Sequence, residues 1–174
     1  MLMELKDCPA DGTELRRAFG CFPSGVTAVC AIIDGEPVGM AASSFTPVSI
    51  DPPLASICVQ NSSTTWPRLR NQSRLGLSVL AEDHTDAAIS LSRKVGDRFA
   101  GVSWAELRSG GVFVDGASAW WDCRLYAEVA AGDHTIVLLE ICALGAAPNT
   151  PPLVFHGSRF RRLAMVKEEQ NENH

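Results

Sequence analysis

Two stretches of this 174-residue chain carry residue types suited to chemistry. The first runs Gly39-Met40-Ala41-Ala42-Ser43-Ser44-Phe45-Thr46-Pro47-Val48-Ser49-Ile50-Asp51-Pro52-Pro53. Strands favour bulky β-branched residues, yet this one opens with small ones. Small side chains let a flat ring lie against the backbone, where N–H groups meet ring oxygens and nitrogens. Ser43 and Ser44 add hydroxyl donors. A sheet edge crowded by a neighbour calls for the same small residues. The second stretch, Gln60-Asn61-Ser62-Ser63-Thr64-Thr65, leads into a helix beginning near Trp66. Free N–H groups at a helix start, flanked by hydroxyls, suit a phosphate. Simple N-capping uses the same residue types.

The histidines are His84, His134, His156 and His174, none spaced as a local metal pair, so no metal is expected. His134 follows Gly132-Asp133 in a turn, where an imidazole either contacts a ligand or is simply solvated. His156 ends a strand before Gly157 and divides between packing and nucleotide contact. Arg159 and Arg161 alternate on a strand; they suit a pyrophosphate or a solvated edge that resists aggregation.

Other chemistries are excluded by motif. No Gly-x-Gly-x-x-Gly follows a strand, and there is no P-loop, His-Glu-x-x-His or Gly-x-Ser-x-Gly. The chain offers no obvious acid–base or nucleophile constellation, so the chemistry is expected to belong to a borrowed cofactor. None of the six cysteines forms a Cys-x-x-Cys pair; most lie in apolar stretches and read as buried reduced thiols.

The elements that position these residues read mainly as strands. Val26 to Ile33 and the run from Val38 join around Asp34-Gly35, whose residues tolerate positive φ; this is a hairpin signal. Leu54 to Gln60 and Arg74 to Leu80 read as strands buried on both faces. Trp120 to Val129 alternates, with Trp121, Cys123, Leu125, Ala127 and Val129 on one face and Asp122, Arg124, Tyr126 and Glu128 on the other. It pairs through Ala131-Gly132-Asp133 with Thr135 to Leu144. Short strands follow at Leu153 to His156 and Arg159 to Leu163. Helices are few: Thr13 to Phe19, Thr65 to Asn71 and Thr85 to Lys94. This pattern favours an antiparallel barrel over an α/β sheet.

Bulk properties set the setting. A hydrophobic content of 46% supports a core, and a net charge of −5 gives no general attraction to nucleic acid or anionic membrane. Met1 to Asp7 does not read as a signal peptide and no apolar run spans a bilayer, so a cytoplasmic location is expected.

In combination, six motifs in order are more specific than any one. Phe22-Pro23-Ser24-Gly25-Val26-Thr27, Gly39 to Pro53, Asn61 to Thr64, Asp97-Arg98-Phe99-Ala100-Gly101, Gly132-Asp133-His134-Thr135 and Leu153-Val154-Phe155-His156-Gly157-Ser158-Arg159-Phe160 occur in register. The chain thereby resembles the flavin reductases that serve two-component flavin monooxygenases, over about residues 13 to 163. The resemblance implies an all-β, antiparallel Greek-key split barrel of the FMN-binding type with a few short helices. The domain would span 13–166, between an N-terminal extension, 1–12, and a polar tail, 167–174. It would form a homodimer with flavin near the subunit interface.

By the same likeness, Pro37, Val38, Gly39, Met40, Ala41, Ala42, Ser43 and Ser44 lie along the isoalloxazine. Cys58, Val59, Gln60, Asn61, Ser62, Ser63 and Thr64 hold ribityl and phosphate groups. Arg98 and Phe99, with Asp97, lie near the flavin's phosphate or adenine end. His134 and the segment His156, Gly157, Ser158, Arg159 and Phe160 face the nicotinamide nucleotide, and His134 is the candidate catalytic residue, positioning nicotinamide or shielding N5. Two departures stand out. The phosphate segment is neutral where the family often carries a basic residue, leaving the charge to N–H groups or to Arg93, Lys94 or Arg98. Ser158 and Phe160 replace a frequent Gly or Arg and a Tyr, which leaves NADH or NADPH open.

The expected activity is NAD(P)H-dependent reduction of FAD or FMN by hydride transfer to N5, with reduced flavin passing to a partner monooxygenase through transient contact. Two rivals share the fold: a non-catalytic flavin-binding module, and an enzyme like the pyridoxamine-phosphate oxidases.

Overall fold

The computed structural model describes residues 7–8 and 11–164. Most of the expected extension 1–12 and the tail 167–174 lie outside the described residues. The elements in chain order are α1 (Gly12–Phe19), β1 (Ser24–Gly25), β2 (Thr27–Ile33), β3 (Glu36–Ala42), β4 (Thr46–Ile50), β5 (Pro53–Gln60), α2 (Trp66–Leu69), β6 (Leu75–Val79), α3 (Thr85–Leu91), β7 (Trp104–Glu106), β8 (Val112–Val114), β9 (Ala119–Ala131), β10 (His134–Ala146), β11 (Val154–His156) and β12 (Arg159–Arg161).

Seven strands form one sheet in the order β3-β2-β6-β9-β10-β5-β4, and every pairing in it is antiparallel. The β2–β3 hairpin turns at Asp34-Gly35, both with positive φ (55° and 81°), as the sequence indicated. That pair of left-handed residues matches the natural twist of the flanking strands. Gly157 and Ser158, each at φ 59°, close the β11–β12 hairpin in the same way.

Two apolar clusters occupy the two faces of the sheet. One gathers Val29, Ala31, Val38, Met40, Ile57, Val59, Leu75, Leu77, Cys123, Val137 and Leu139, so six strands share it. The other sets Ala28 and Cys30 of β2 against Leu91 of α3, Phe99, and Val112 and Val114 of β8. Hence β2 and β6 are buried on both faces. Gly76 of β6 passes so close to β8 that an added Cβ would stand 2.1 Å from the Val112 carbonyl oxygen.

Several expectations are corrected. β5 is buried on both faces only at its start, at Leu54 and Ala55; beyond, Ile57 and Val59 are buried while Cys58 and Gln60 are exposed. β6, by contrast, is covered on both faces because β8 packs over its second. α2 is a single turn, shorter than Thr65 to Asn71, and Pro67 within it has no N–H to donate. α3 ends at Leu91 rather than Lys94. Only Cys30 and Cys123 are buried; Cys8, Cys21, Cys58 and Cys142 are exposed.

The alternation along β9 also breaks. Leu125 pairs with Leu139 and Ala127 with Leu138, leaving Tyr126 over as a bulge. One extra residue in a strand of period two exchanges the faces beyond it. Glu128 therefore pairs with buried Val137 on the core side, and Val129 is half-exposed.

Candidate functional site

β3 is the last strand on its side of the sheet, paired only with β2. Every second N–H and C=O of an edge strand lacks a strand partner. Along this edge lies a cavity of about 570 Å³. Met40, Ala41, Ala42, Ser43 and Ser44 form one wall, and Cys58, Val59 and Gln60 of β5 form the facing wall. Ser62, Ser63 and Thr64 close one end, Leu91 comes from the last turn of α3 with Ser92 just after it, and Lys94, Arg98 and His134 complete the lining. The two stretches that opened the sequence reading thus face each other.

The small residues of β3 have two separate causes. Gly39 is dictated by packing, since a Cβ there would stand 2.4 Å from Cys30 Sγ and 3.1 Å from the Phe99 ring. Ala41, Ala42 and Ser43 instead line the cavity. Ser44 fixes the opposite wall: its hydroxyl donates to the Cys58 carbonyl at 3.1 Å and accepts from the Cys58 N–H at 2.8 Å.

No carboxylate lines this cavity, although the chain carries 20 Asp and Glu. Its charged groups are Lys94 and Arg98. Arg98 Nη1 donates to the Gly39 carbonyl at 3.0 Å and to Thr65 Oγ1 at 2.8 Å, which fixes the guanidinium at the mouth of a second cavity. Asp97, beside it, accepts from the Phe99 N–H at 2.8 Å and shapes its own loop. A guanidinium held by neutral oxygens keeps its full charge for an anion.

The second cavity, about 400 Å³, is lined by Pro37, Val38, Gly39 and Phe99 together with the cations Arg68, Lys94 and Arg98 and the carboxylates Glu36 and Asp97. A third, about 120 Å³, lies against Ala41, Ala42 and Ser43 and is walled by Phe155 and Phe160. These two rings meet edge to face with centroids 5.5 Å apart. His156, Gly157, Ser158 and Arg159 belong to the same hairpin but do not line these cavities. Phe155, although within one of the six motifs, was given no site role from the sequence, nor were Leu91 and Ser92. Their apolar or neutral types carry no chemical signal, and only α3 and β11 packing brings them here.

Within the hydroxyl loop the roles divide. The Ser63 hydroxyl accepts from the Trp66 N–H at 3.1 Å, so it caps α2 as well as lining the cavity. The Asn61 and Ser63 N–H groups donate to the Asp133 and Gln60 carbonyls, both at 2.9 Å. A one-turn helix with these donors committed brings little dipole, leaving cations and hydroxyls to meet negative charge.

His134 begins β10, opposite Gln60, with its side chain about one-third exposed at the cavity rim. Its Nδ1 lies 2.7 Å from Asp133 Oδ1. Since a carboxylate only accepts, Nδ1 carries the proton and Nε2 is the nitrogen left for a ligand. The hydrogen bond from His134 holds the Asp133 carboxyl below its ordinary value.

An antiparallel sheet with a carboxylate-free, cation-bearing cavity along an open strand edge suits an anionic ligand. The flavin reductase like domain matches residues 19–164, and the chain belongs to that family. It is similar to the NADH-dependent FAD reductase of Streptomyces globisporus, 40% identical over 171 residues covering 95% of this chain and 93% of that one. The solved structure of the Streptomyces globisporus C-1027 NADH:FAD oxidoreductase in complex with NAD and FAD fragments superposes with a TM-score of 0.86. It is 39% identical and covers 93% of this chain and 98% of that chain. The reductase component of the Acinetobacter baylyi flavin-dependent trigonelline monooxygenase is 40% identical over 129 residues, or 74% of this chain. This chain spans 42% of that longer protein. Among the described residues no helix is long and apolar enough to cross a membrane.

Proposed function

We propose that the protein is an NADH-dependent FAD reductase whose reduced flavin serves a separate monooxygenase. The observation that carries this reading is the absence of any carboxylate from the β3–β5 cavity of an acidic chain, combined with Lys94 and Arg98 at its end. The names of the Streptomyces and Acinetobacter relatives support FAD, NADH and the oxygenase partner.

The cavity fits such a ligand on chemical grounds. Met40 to Ser44 offer a low wall and an open backbone edge for a planar ring system. Ser62, Ser63 and Thr64 offer hydroxyls to the ribityl and phosphate region, and Lys94 and Arg98 meet the phosphate charge. The bound flavin supplies the hydride-accepting ring. The chain's residues would orient it: the β3 N–H groups would meet the ring's polar edge, and His134 with the Phe155–Phe160 wall would position the nicotinamide. No side chain is required as acid or base. We read the seven-stranded sheet as the split barrel of this family, with the β3 edge on one side of the split and, on the other, the Cys58–Gln60 end of β5 beyond its pairing with β4. A homodimer agrees with the exposed Phe19, Phe22, Val48, Ile50 and Leu144.

A steady-state assay crossing FAD and FMN with NADH and NADPH tests the activity, with NADH and FAD expected as the best pair. Lys94→Ala should raise the FAD KM about tenfold, the loss of one charge-assisted hydrogen bond. Flavin binding without nicotinamide oxidation would establish a non-catalytic module; oxidation of a pyridoxamine substrate would establish the other rival. Light scattering showing an active monomer would remove the shared interface.

A further inference from the structure

Asn61 stands just past the end of β5, where the last register pair joins Gln60 to His134. Its neighbours Gln60, Ser62, Ser63 and Thr64 line the cavity, and Asn61 does not. The side chain is committed elsewhere. Nδ2 donates to the Gly132 carbonyl at 3.1 Å, and Oδ1 accepts from the Thr135 hydroxyl at 2.9 Å. The backbone N–H donates to the Asp133 carbonyl at 2.9 Å. One residue thus grips Gly132, Asp133 and Thr135, the residues on both sides of His134.

We infer that Asn61 is a positioning residue: it sets the direction of the His134 imidazole at the cavity rim by fixing the turn that carries it. This rests on the reading of His134 as the residue that faces the nicotinamide. The physical need is clear from the site. The β9–β10 tip is exposed, with the Asp133 side chain 91% accessible, and an exposed hairpin tip opens locally at little cost. The Asp133 contact fixes which imidazole nitrogen carries the proton, but both partners sit on the same exposed tip. Asn61 belongs to the loop that follows β5, and its two side-chain bonds tie that tip to the hydroxyl loop. The requirement is specific to an amide, because the site needs a donor toward Gly132 and an acceptor toward Thr135 on one planar group. An aspartate supplies only the acceptor and sets a negative oxygen against the Gly132 carbonyl.

The test combines kinetics with a readout independent of turnover. Asn61→Asp and Thr135→Val should each lower kcat/KM for NADH by about five- to tenfold, with the FAD KM moving less than about twofold. Thr135→Ser, which keeps the hydroxyl, should recover most of the Thr135→Val loss. In the His134→Ala background the Asn61→Asp effect should vanish, the non-additivity expected of residues acting through one another. In flavin-free protein, the His134 ring signals in ¹H–¹⁵N spectra should move toward those of a freely solvated histidine in Asn61→Asp. Unchanged ring signals, or additive effects in the double variant, would overturn the positioning role while leaving the nicotinamide role of His134 intact. Full activity in His134→Ala alone would instead remove the reading beneath it, and the inference with it.

Discussion

The indole Nε1 of Trp66 donates to Glu128 Oε1 at 2.7 Å, joining the helix after the hydroxyl loop to the middle of β9. Arg70, one turn along α2, bonds the other oxygen of the same carboxylate. The pairing exists because the Tyr126 bulge turns Glu128 to the core side of the sheet. Glu128→Ala would leave the buried indole N–H without its acceptor. A loss of about 1–3 kcal/mol is expected in urea unfolding, the penalty for removing a charged partner from a buried donor. Glu128→Gln keeps an acceptor and should lose less.

Gly76→Ala should be among the most damaging single-methyl changes. The new Cβ would meet three backbone atoms of Val112, the carbonyl oxygen at 2.1 Å, and backbone cannot swing aside as a side chain can. Destabilisation of about 3 kcal/mol or more follows from separating β6 from β8. Thermal melting would show it, and a near-native Tm would contradict the close crossing.

Thiol titration should divide the cysteines. Burial pushes Cys30 and Cys123 each up to about 12, so neither forms appreciable thiolate at pH 8. Both should react with a thiol reagent only after unfolding. Rapid labelling of either in the native protein would show that its side of the sheet opens readily.

Asp133 should titrate below the ordinary 3.8, because His134 donates a hydrogen bond to its charged form, with a smaller contribution from Arg16. A carboxyl depressed in the folded state stabilises it above the unfolded value, and that contribution is lost as pH falls through the lowered value. Following the carboxyl carbon by NMR should give a midpoint under 3.8 in the wild type. In His134→Ala the midpoint should return toward 3.8.

What was legible from sequence is local. Asp34-Gly35 and the alternating run around Cys123 specify the two principal hairpins through turn chemistry and period, and both stand in the structure. The run of short strands pointed to an antiparallel arrangement, although β4 was not read as a strand and the β11–β12 hairpin joins a separate sheet with β1. Less legible were features set by distant partners. The β7–β8 hairpin is absent from the strand reading, since Trp104-Ala105-Glu106 has no β-branched residue and is held by pairing with Val112–Val114. The Tyr126 bulge leaves no mark in the sequence, so Glu128 and Val129 were assigned to opposite faces from those they occupy. At the site, the β3 and β5 walls carried a signal in small and hydroxyl residues. The division of labour in the hydroxyl loop, with Ser63 also capping and Asn61 gripping a turn 71 residues away, depends on a β5–β10 pairing that no local pattern encodes.

That pairing also governs how the chain acquires its shape. Gln60 meets His134 and Leu54 meets Glu140, so each contact closes a loop of between two-fifths and half of the chain. Contacts this distant in sequence place a domain among the slow folders, on the order of milliseconds to seconds, because the entropy of closing the loop is lost before the strands reward it. During synthesis β5 emerges well before its partner. The β4–β5 hairpin must wait, one edge unpaired, until β10 leaves the ribosome, and its exposed Pro47 hinders other strands from docking on the outer side in the interval.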